Sequence, residues 1–590
     1  MSTNSVVNET GSATPININW KIQVWIGVGL VLLIALVYGQ AWQFGFVRWD
    51  DNEYVYENEH VIAGLTLKGV VWAFTTLYSS GYWHPLTWLS HMLDCQLFGV
   101  HPGWHHITNI TIHAVNTLLV LGIVNQMTRR QWCAAATAAL FAIHPIHVES
   151  VLWLSERKDL LCTLFELLAI GAYLRYGAQT NSWVRYLTVI GLTVLSALSK
   201  PSMVALPFLL FLLDFWPLKR LDLPQSGHWK LFWVQGWQLL WEKLPLIVIS
   251  LMIMLVTYVG THQGLMAAKF GIPQTSTATY IESTETPLSH QFADALVTTA
   301  IFLQRTVWPA GLSFFYECND PIAWWHLLIA GVVVFGFSVG SLWMIRRAPY
   351  LVVGWWWYLL VLFPVSGIVA IATPRADHYS YFSLIGIFLA LSLGLADLVK
   401  QKPGLRLVVG TGVCAVLLVL SGLSWNQAQT WKNSLTLFQH ATLVDPSNKI
   451  AHHKLAEEYF RQEQYELASQ HFEAAGNEWG VTLANQKNQA GQIQTLRHQL
   501  AANPLDANIQ LALGQAYARR GQPEDALPYL QRSTELSPNE IETWIALGKV
   551  YLQTGEYPKA LDAFSRALTL DPNRIEVRQQ VETLRKKTGK

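Results

Sequence analysis

Hydrophobicity changes character once along this chain. Up to about residue 425, long apolar runs follow one another with short polar breaks. Beyond it, apolar residues recur singly among charged and amide side chains. The first regime predicts membrane-spanning helices at roughly 22–37, 106–127, 132–152, 159–177, 184–199, 202–217, 244–260, 323–345, 350–372, 379–398 and 405–424. A further apolar stretch, 291–308, need not cross. The first twenty residues are polar and lack the basic start of a cleavable signal peptide, so Ile22–Val37 reads as a retained signal anchor. The expected fold is all-α: a polytopic membrane domain of about eleven spans over 1–425, with a long first outside loop at 42–105, then a soluble helical domain over 426–590.

The tail has an internal period. Leu513-Gly514, Tyr517, Gly521 and Ala526 recur 34 residues on as Leu547-Gly548, Tyr551, Gly555 and Ala560, and Pro504, Pro538 and Pro572 keep the same spacing. Small residues where two antiparallel helices touch, with Pro after the second helix, are the tetratricopeptide signature. Copies are expected near 447–480, 505–538 and 539–572. The first has Leu455, Tyr459, Tyr465, Ala468 and Ala475, with Glu463 at the usual Gly position. A half repeat at 431–446 joins the last span, and 481–504 reads as a degenerate helix. Such repeats dock proteins or peptides.

Composition agrees with a membrane protein, at 52% hydrophobic and 13% charged residues, and a net charge of +1 gives no electrostatic basis for nucleic-acid binding. Cys95, Cys133, Cys162, Cys318 and Cys414 lack paired spacing, which argues against a disulfide framework or a cysteine zinc site. With the N-terminus in the cytoplasm, the inside loops carry Arg129-Arg130, Arg175, Arg185, Lys219-Arg220, Lys230, Lys243, Arg346-Arg347, Lys400, Lys402 and Arg406. By the positive-inside rule the first loop and the tail then lie on the non-cytoplasmic side.

That side holds the candidate chemistry. Asp50 and Asp51, with Glu53 two positions on, follow the first span, and the loop after them is dense in aromatics and histidines, including Tyr82, His84, Trp88 and His91. His144-Pro145-Ile146-His147-Val148-Glu149 leads to Glu156-Arg157-Lys158-Asp159; Lys200 follows at a helix junction, and Arg375 precedes His378 and Tyr379. Cations held outside against the positive-inside trend call for an anionic ligand at headgroup level. Sugar transfer from a polyprenyl phosphate suits the set: a carboxylate takes the acceptor proton, cations hold the phosphate, and Arg matches phosphate geometry. His105, Asn109 and His113 share one helix face and are expected to be packing hydrogen bonds, because no histidine metal motif is present.

The ordered residues Asp50-Asp51, His144-Pro145-x-His147-x-Glu149, Arg157-x-Asp159, Leu198-Ser199-Lys200 and Tyr379-x-Tyr381 resemble those of membrane proteins with tetratricopeptide repeats related to the transmembrane O-mannosyltransferases acting on cadherins, and through them the GT-C superfamily. The resemblance implies a GT-C-like membrane fold and a bacterial inner-membrane host, with the site facing the periplasm. It also implies Asp50 or Asp51 as catalytic acid/base, with Asp51 favoured, and a polyprenyl-phosphate sugar donor. Arg157, Lys158, Lys200 and Arg375 would hold the donor phosphate, and Glu53, His84, His144, His147, Glu149, Asp159, His378 and Tyr379 would support the site. No cofactor is fixed by the resemblance, and a divalent cation stays open. The acceptor would be a protein or glycan recruited by the repeats. Two other classes stay open: a non-catalytic scaffold for the repeats, and a lipid-linked glycan ligase or flippase.

Overall fold

The computed structural model describes residues 20–76, 83–178, 182–201, 203–221, 223–224, 229–269, 288–317, 322–366 and 375–589. Tyr82 and Cys318 lie outside them. The described residues are helical with no strand, and the chain divides into two compact units, Met1–Pro446 and Ser447–Lys590.

In the first unit, helix α1 (Trp20–Tyr38) leads into the first loop, which folds as α2 (Glu59–Ile62), α3 (Leu67–Thr75) and α4 (Pro85–Phe98). Thr66 caps α3 by accepting the Gly69 N–H at 3.0 Å, and Pro85 starts α4 where its missing N–H costs nothing. The bundle continues with α5 (Pro102–Thr128), α6 (Gln131–Ile143), α7 (Val148–Leu152), α8 (Arg157–Gly177), α9 (Trp183–Ser199), α10 (Leu206–Phe215) and α11 (Trp229–Lys269). It closes with α12 (Leu288–Val307), α13 (Trp324–Trp343), α14 (Pro349–Leu362), α15 (Ser380–Gln401), α16 (Arg406–Thr430) and α17 (Ser434–Val444).

Among the described residues, seven helical stretches are long and apolar enough to cross a membrane: Trp20–Gln43, Pro102–Thr128, Leu154–Gly177, Trp229–Val259, Trp324–Trp343, Asp377–Gln401 and Pro403–Thr430. The protein is an integral membrane protein. The expected span 132–152 is a pair bent by 52°. Pro145 cannot continue the ladder and holds His144 extended, so the His144–Glu149 motif sits at the bend. Three expected spans are shorter apolar helices, Trp183–Ser199, Leu206–Phe215 and Pro349–Val365. Gly354 and Gly386 let α14 and α15 touch backbone to backbone: a Cβ on either would lie within 2.5 Å of the other's carbonyl oxygen.

The half repeat 431–446 falls in the membrane unit. Ser434 Oγ accepts the Arg48 N–H at 2.9 Å, Lys432 O accepts the Gly45 N–H at 2.9 Å, and the Phe438 and Phe314 rings lie 5.3 Å apart.

The second unit comprises α18 (Lys449–Arg461), α19 (Tyr465–Ala474), α20 (Glu478–Ala502), α21 (Ala507–Arg519), α22 (Pro523–Leu536), α23 (Ile541–Gln553), α24 (Tyr557–Leu570) and α25 (Ile575–Thr588). Helices pair where the 34-residue period places small residues: a Cβ on Gly514 would meet Leu530 at 2.5 Å and one on Gly548 would meet Phe564 at 2.9 Å. Gly521 and Gly555 turn each pair with φ of +75° and +77°, and Glu463 adopts the same left-handed turn at +60°, at about 1–2 kcal/mol relative to glycine. Segment 481–504 lies within and just after the long helix α20.

Candidate functional site

The Asp50-Asp51 turn is built into the membrane unit by its second residue. Asp51 is 1% exposed, and its carboxylate accepts the Val47 N–H at 3.0 Å, the Ser155 N–H at 3.1 Å and the Ser155 hydroxyl at 2.8 Å. Burial pushes this carboxyl up to about 7 in spite of the three donors, and the neighbouring Asp50 adds to the rise. Trp153 Nε1 reinforces the join by donating to Trp49 O at 2.7 Å. Asp50 is half-buried and takes the left-handed backbone conformation, φ +69°, while its carbonyl accepts the Tyr54 N–H at 2.9 Å. Such strain in a non-glycine residue persists where surrounding structure imposes it, and here the Asp51 anchor does.

Ser155 also begins the second half of the site. Lys158 Nζ donates to Ser155 O at 3.2 Å and pairs with Glu156 Oε1 at 2.7 Å, and it lies 4.8 Å from the Tyr54 ring centre. Lys200 pairs with Asp159 and, at 3.4 Å, with Glu156, over the Tyr379 ring. His378 Nδ1 meets Glu149 Oε1 at 2.5 Å, and its Nε2 lies 3.8 Å from Glu156 Oε1. Helices α8, α9 and α15 and the bent segment at α7 thus bring Glu149, Lys158, Asp159, Lys200, His378 and Tyr379 into one buried ionic cluster around Glu156. A buried cluster of this kind costs desolvation, which only close pairing offsets.

Other expected site residues turn elsewhere. Arg157 is fully buried and its fork is spent on the protein: Nε to Asn109 Oδ1 at 2.7 Å, Nη1 to Asp94 Oδ2 at 2.6 Å, and Nη2 to His105 O at 2.9 Å. It braces α4 and α5 against the start of α8. Arg375 pairs with Asp294 on α12 at 2.5 Å and with Thr298 at 3.0 Å. His144 contacts Thr306 O at 3.0 Å and His147 contacts Phe141 O at 2.8 Å, so both hold the bend. His84 stacks on Tyr54 and Trp88 in the core of the first loop, and Glu53 is half-buried beside that core. His113 meets Tyr381 Oη at 2.7 Å and Ala142 O at 3.0 Å, and Asn109 donates to Val151 O at 3.2 Å, which are interhelical packing bonds.

Glu156, Asp159 and His378 are the group among the described residues whose ligand atoms lie close enough to hold a metal ion, within 4.8 Å of one another. They do not fit a dication: Lys158 and Lys200 already place two ammonium groups on the same carboxylates. Sequence reasoning passed over Asp94 and Asp377. Asp94 neutralises Arg157, and Asp377 pairs with Arg305 at 2.9 Å and accepts from Tyr316 at 2.7 Å. An isolated Asp on an apolar helix, three residues after His91, was the available signal for the first.

A tetratricopeptide repeat model matches residues 493–541 and 511–575. Protein O-mannosyl-transferase Tmtc1 of Drosophila melanogaster is 30% identical over 193 residues, covering 32% of this chain and 22% of the relative. Human Protein O-mannosyl-transferase TMTC4 is 22% identical over 490 residues, covering 72% and 62%. The chain thus spans about a fifth of the first relative and under two thirds of the second. An oligosaccharyltransferase of Archaeoglobus fulgidus superposes with a TM-score of 0.37 at 12% identity, covering 69% of this chain and 56% of that one.

Proposed function

We propose that this protein is a membrane glycosyltransferase that moves a sugar from a polyprenyl-phosphate donor to an acceptor hydroxyl on the non-cytoplasmic side, with its repeats recruiting a protein acceptor. The observation that carries the reading is the join at Ser155: its N–H and hydroxyl hold Asp51, while its carbonyl holds Lys158. A carboxylate turn and one ammonium group are thereby fixed to one backbone segment, and Lys200 joins them through the Glu156 and Asp159 carboxylates. Asp50, half-buried, is the general base, and Asp51 positions it. The acceptor oxygen bonds to the anomeric carbon as the bond from that carbon to the phosphate oxygen breaks. The acceptor proton passes to Asp50, and polyprenyl phosphate leaves without needing an acid. Lys158 and Lys200 supply positive charge at the leaving phosphate, exchanging part of their pairing with Glu156 and Asp159. Arg157 supports the set from behind, and Arg375, held by Asp294 and Thr298 on α12, takes no direct part. The named activity of the O-mannosyl-transferase relatives supports the reaction class.

One observation favours the scaffold reading: Arg157, Lys158, Lys200 and Arg375 are all paired with protein carboxylates. The test is transfer of radiolabel from polyprenyl-phosphate sugars to protein acceptors by the purified full chain in vesicles. Transfer lost in Asp50→Asn supports the reading. Transfer at the parent rate in Asp50→Asn and Asp51→Asn sinks it, and failure of every donor leaves the scaffold.

A further inference from the structure

Far along α8 from the Glu156 cluster, a second ionic group fixes the level at which several helices end. Tyr173 lies near the end of α8, Asp214 is one residue from the end of α10, and the hydroxyl of Tyr186, near the start of α9, donates to Glu242 O. Lys243 is buried against Asp214 and Tyr173, and Arg220 pairs with Asp214 at 2.9 Å and Glu242 at 2.6 Å. Helix α11 passes this level and continues toward its own N-terminus at Trp229. At about 1.5 Å per residue, the stretch from Trp229 to Lys243 carries it about 20 Å past this level, with Leu221 reaching it near Gly236 and the first two turns running on beyond.

That overhang is amphipathic in an unusual way. Trp229, Trp233, Trp237 and Trp241 recur every fourth residue and are 57–68% exposed, joined by exposed Val234 and Leu240. At about 100° per residue these six fall within an arc of about 140°. Gln235, Gln238 and Glu242 lie on the opposite side, which exposed Leu231 joins in the first turn. Leu239 and Lys243 are buried on the third, where Gly236 approaches Leu221. Lys230 enters the apolar arc only at the helix start, where its stem can carry the ammonium outward. An indole is amphipathic and partitions to the boundary between headgroups and acyl chains. Four of them spread along about 18 Å exceed the depth of one headgroup layer, about 5–8 Å, if the helix stands upright.

We infer that Trp229–Trp241 is an interfacial segment, inclined along the bilayer surface with its tryptophan arc seated at the headgroup–acyl boundary, and pinned to the bundle by Lys243. The partner is the lipid surface itself. Pro245, just past the pin, interrupts the helix hydrogen bonds and allows the change in inclination.

The test places single nitroxide labels at positions 229, 233, 237 and 241 by cysteine substitution, in the full-length chain with Cys414 and Cys318 replaced by serine, in phosphatidylcholine vesicles. Collision with oxygen against a water-soluble nickel chelate then reports depth. The expected result is mobile labels at one shallow level, with a spread under about 6 Å. Depth stepping by about 6 Å from each label to the next means an upright helix and overturns the inference. Chelate-accessible labels mean a segment in water, and immobilised labels shielded from both quenchers mean a protein partner or a second copy; either also overturns it.

Discussion

Among the described residues, a buried ionic cluster lies near each end of α8, and the two differ in what surrounds them. The cluster around Glu156 is tied through Ser155 to a half-exposed, backbone-strained Asp50. The cluster of Tyr173, Asp214, Arg220, Glu242 and Lys243 closes on itself: Asp214 is fully buried and receives Lys243, Arg220 and the Tyr173 hydroxyl. Both sets pair their charges internally, but only the first adjoins a half-buried carboxylate turn, and under the proposed function that is the difference between fastening helices and acting on a ligand. The most damaging test of this contrast is Asp50→Asn. It keeps size but cannot take the acceptor proton, so transfer should fall about 10²–10⁴-fold with unfolding in detergent unchanged. An equal loss of stability would make Asp50 a fastening group too.

The contrast was only half legible in the sequence. Arg157, Lys158 and Lys200 stood out because cations outside break the positive-inside pattern, and that logic found the Glu156 neighbourhood. It could not tell which way each side chain turns, so Arg157 and Lys158, adjacent in sequence, looked equivalent although one braces α4 and the other faces Glu156. The Lys243 cluster was hidden for the opposite reason. Lys219-Arg220 and Lys243 obey the rule and read as ordinary inside charges, while Asp214 sits at the end of an apolar run. The repeats were the most legible part, because Gly514, Gly521, Gly548 and Gly555 record both close packing and left-handed turns. The half repeat's packing on the membrane unit depends on contacts such as Phe438 with Phe314, far apart in sequence.

The reciprocal test acts at the closed cluster. Lys243→Met leaves Asp214 buried with only part of its compensation, which should cost about 3–5 kcal/mol of stability. Transfer per folded molecule should change less than about twofold, since no reacting atom is touched. Adding Asp214→Asn should restore much of the loss, because an uncompensated charge is then removed. Thermal unfolding followed by size exclusion, with transfer assayed on the monodisperse fraction, checks both. A large fall in transfer by correctly folded Lys243→Met protein would show that the two ends of α8 are coupled.

Within the Glu156 cluster, the two neighbouring cations should separate. Lys158→Met should raise the donor KM about tenfold, equivalent to about 1.4 kcal/mol, through lost charge at the phosphate. Arg157→Lys should instead lower stability, because one ammonium cannot serve Asn109, Asp94 and His105 together as the guanidinium fork does. Its donor KM should stay within about twofold of the parent. Steady-state kinetics over a donor series decides between them, and an Arg157→Lys effect confined to donor KM would return Arg157 to the phosphate site.

The last expected effect is a pH dependence of stability carried by Asp51. Its folded carboxyl is raised to about 7 by burial from an unfolded value near 4. Between those values the folded chain holds a proton that the unfolded chain has released, so stability falls as pH rises through the window. The contribution is fully present below about pH 4 and is lost by about pH 7. Other carboxylates titrate in the same range, so the informative quantity is the difference between the parent and Asp51→Asn, whose amide does not titrate. The parent's melting temperature should fall relative to the variant's as pH rises from 4 to 7. A constant difference would mean that Asp51 stays ionised throughout, held by the donors from Val47 and Ser155. The anchor of the Asp50 turn would then be a permanent charge, and the contrast between the two ends of α8 would narrow to Asp50 alone.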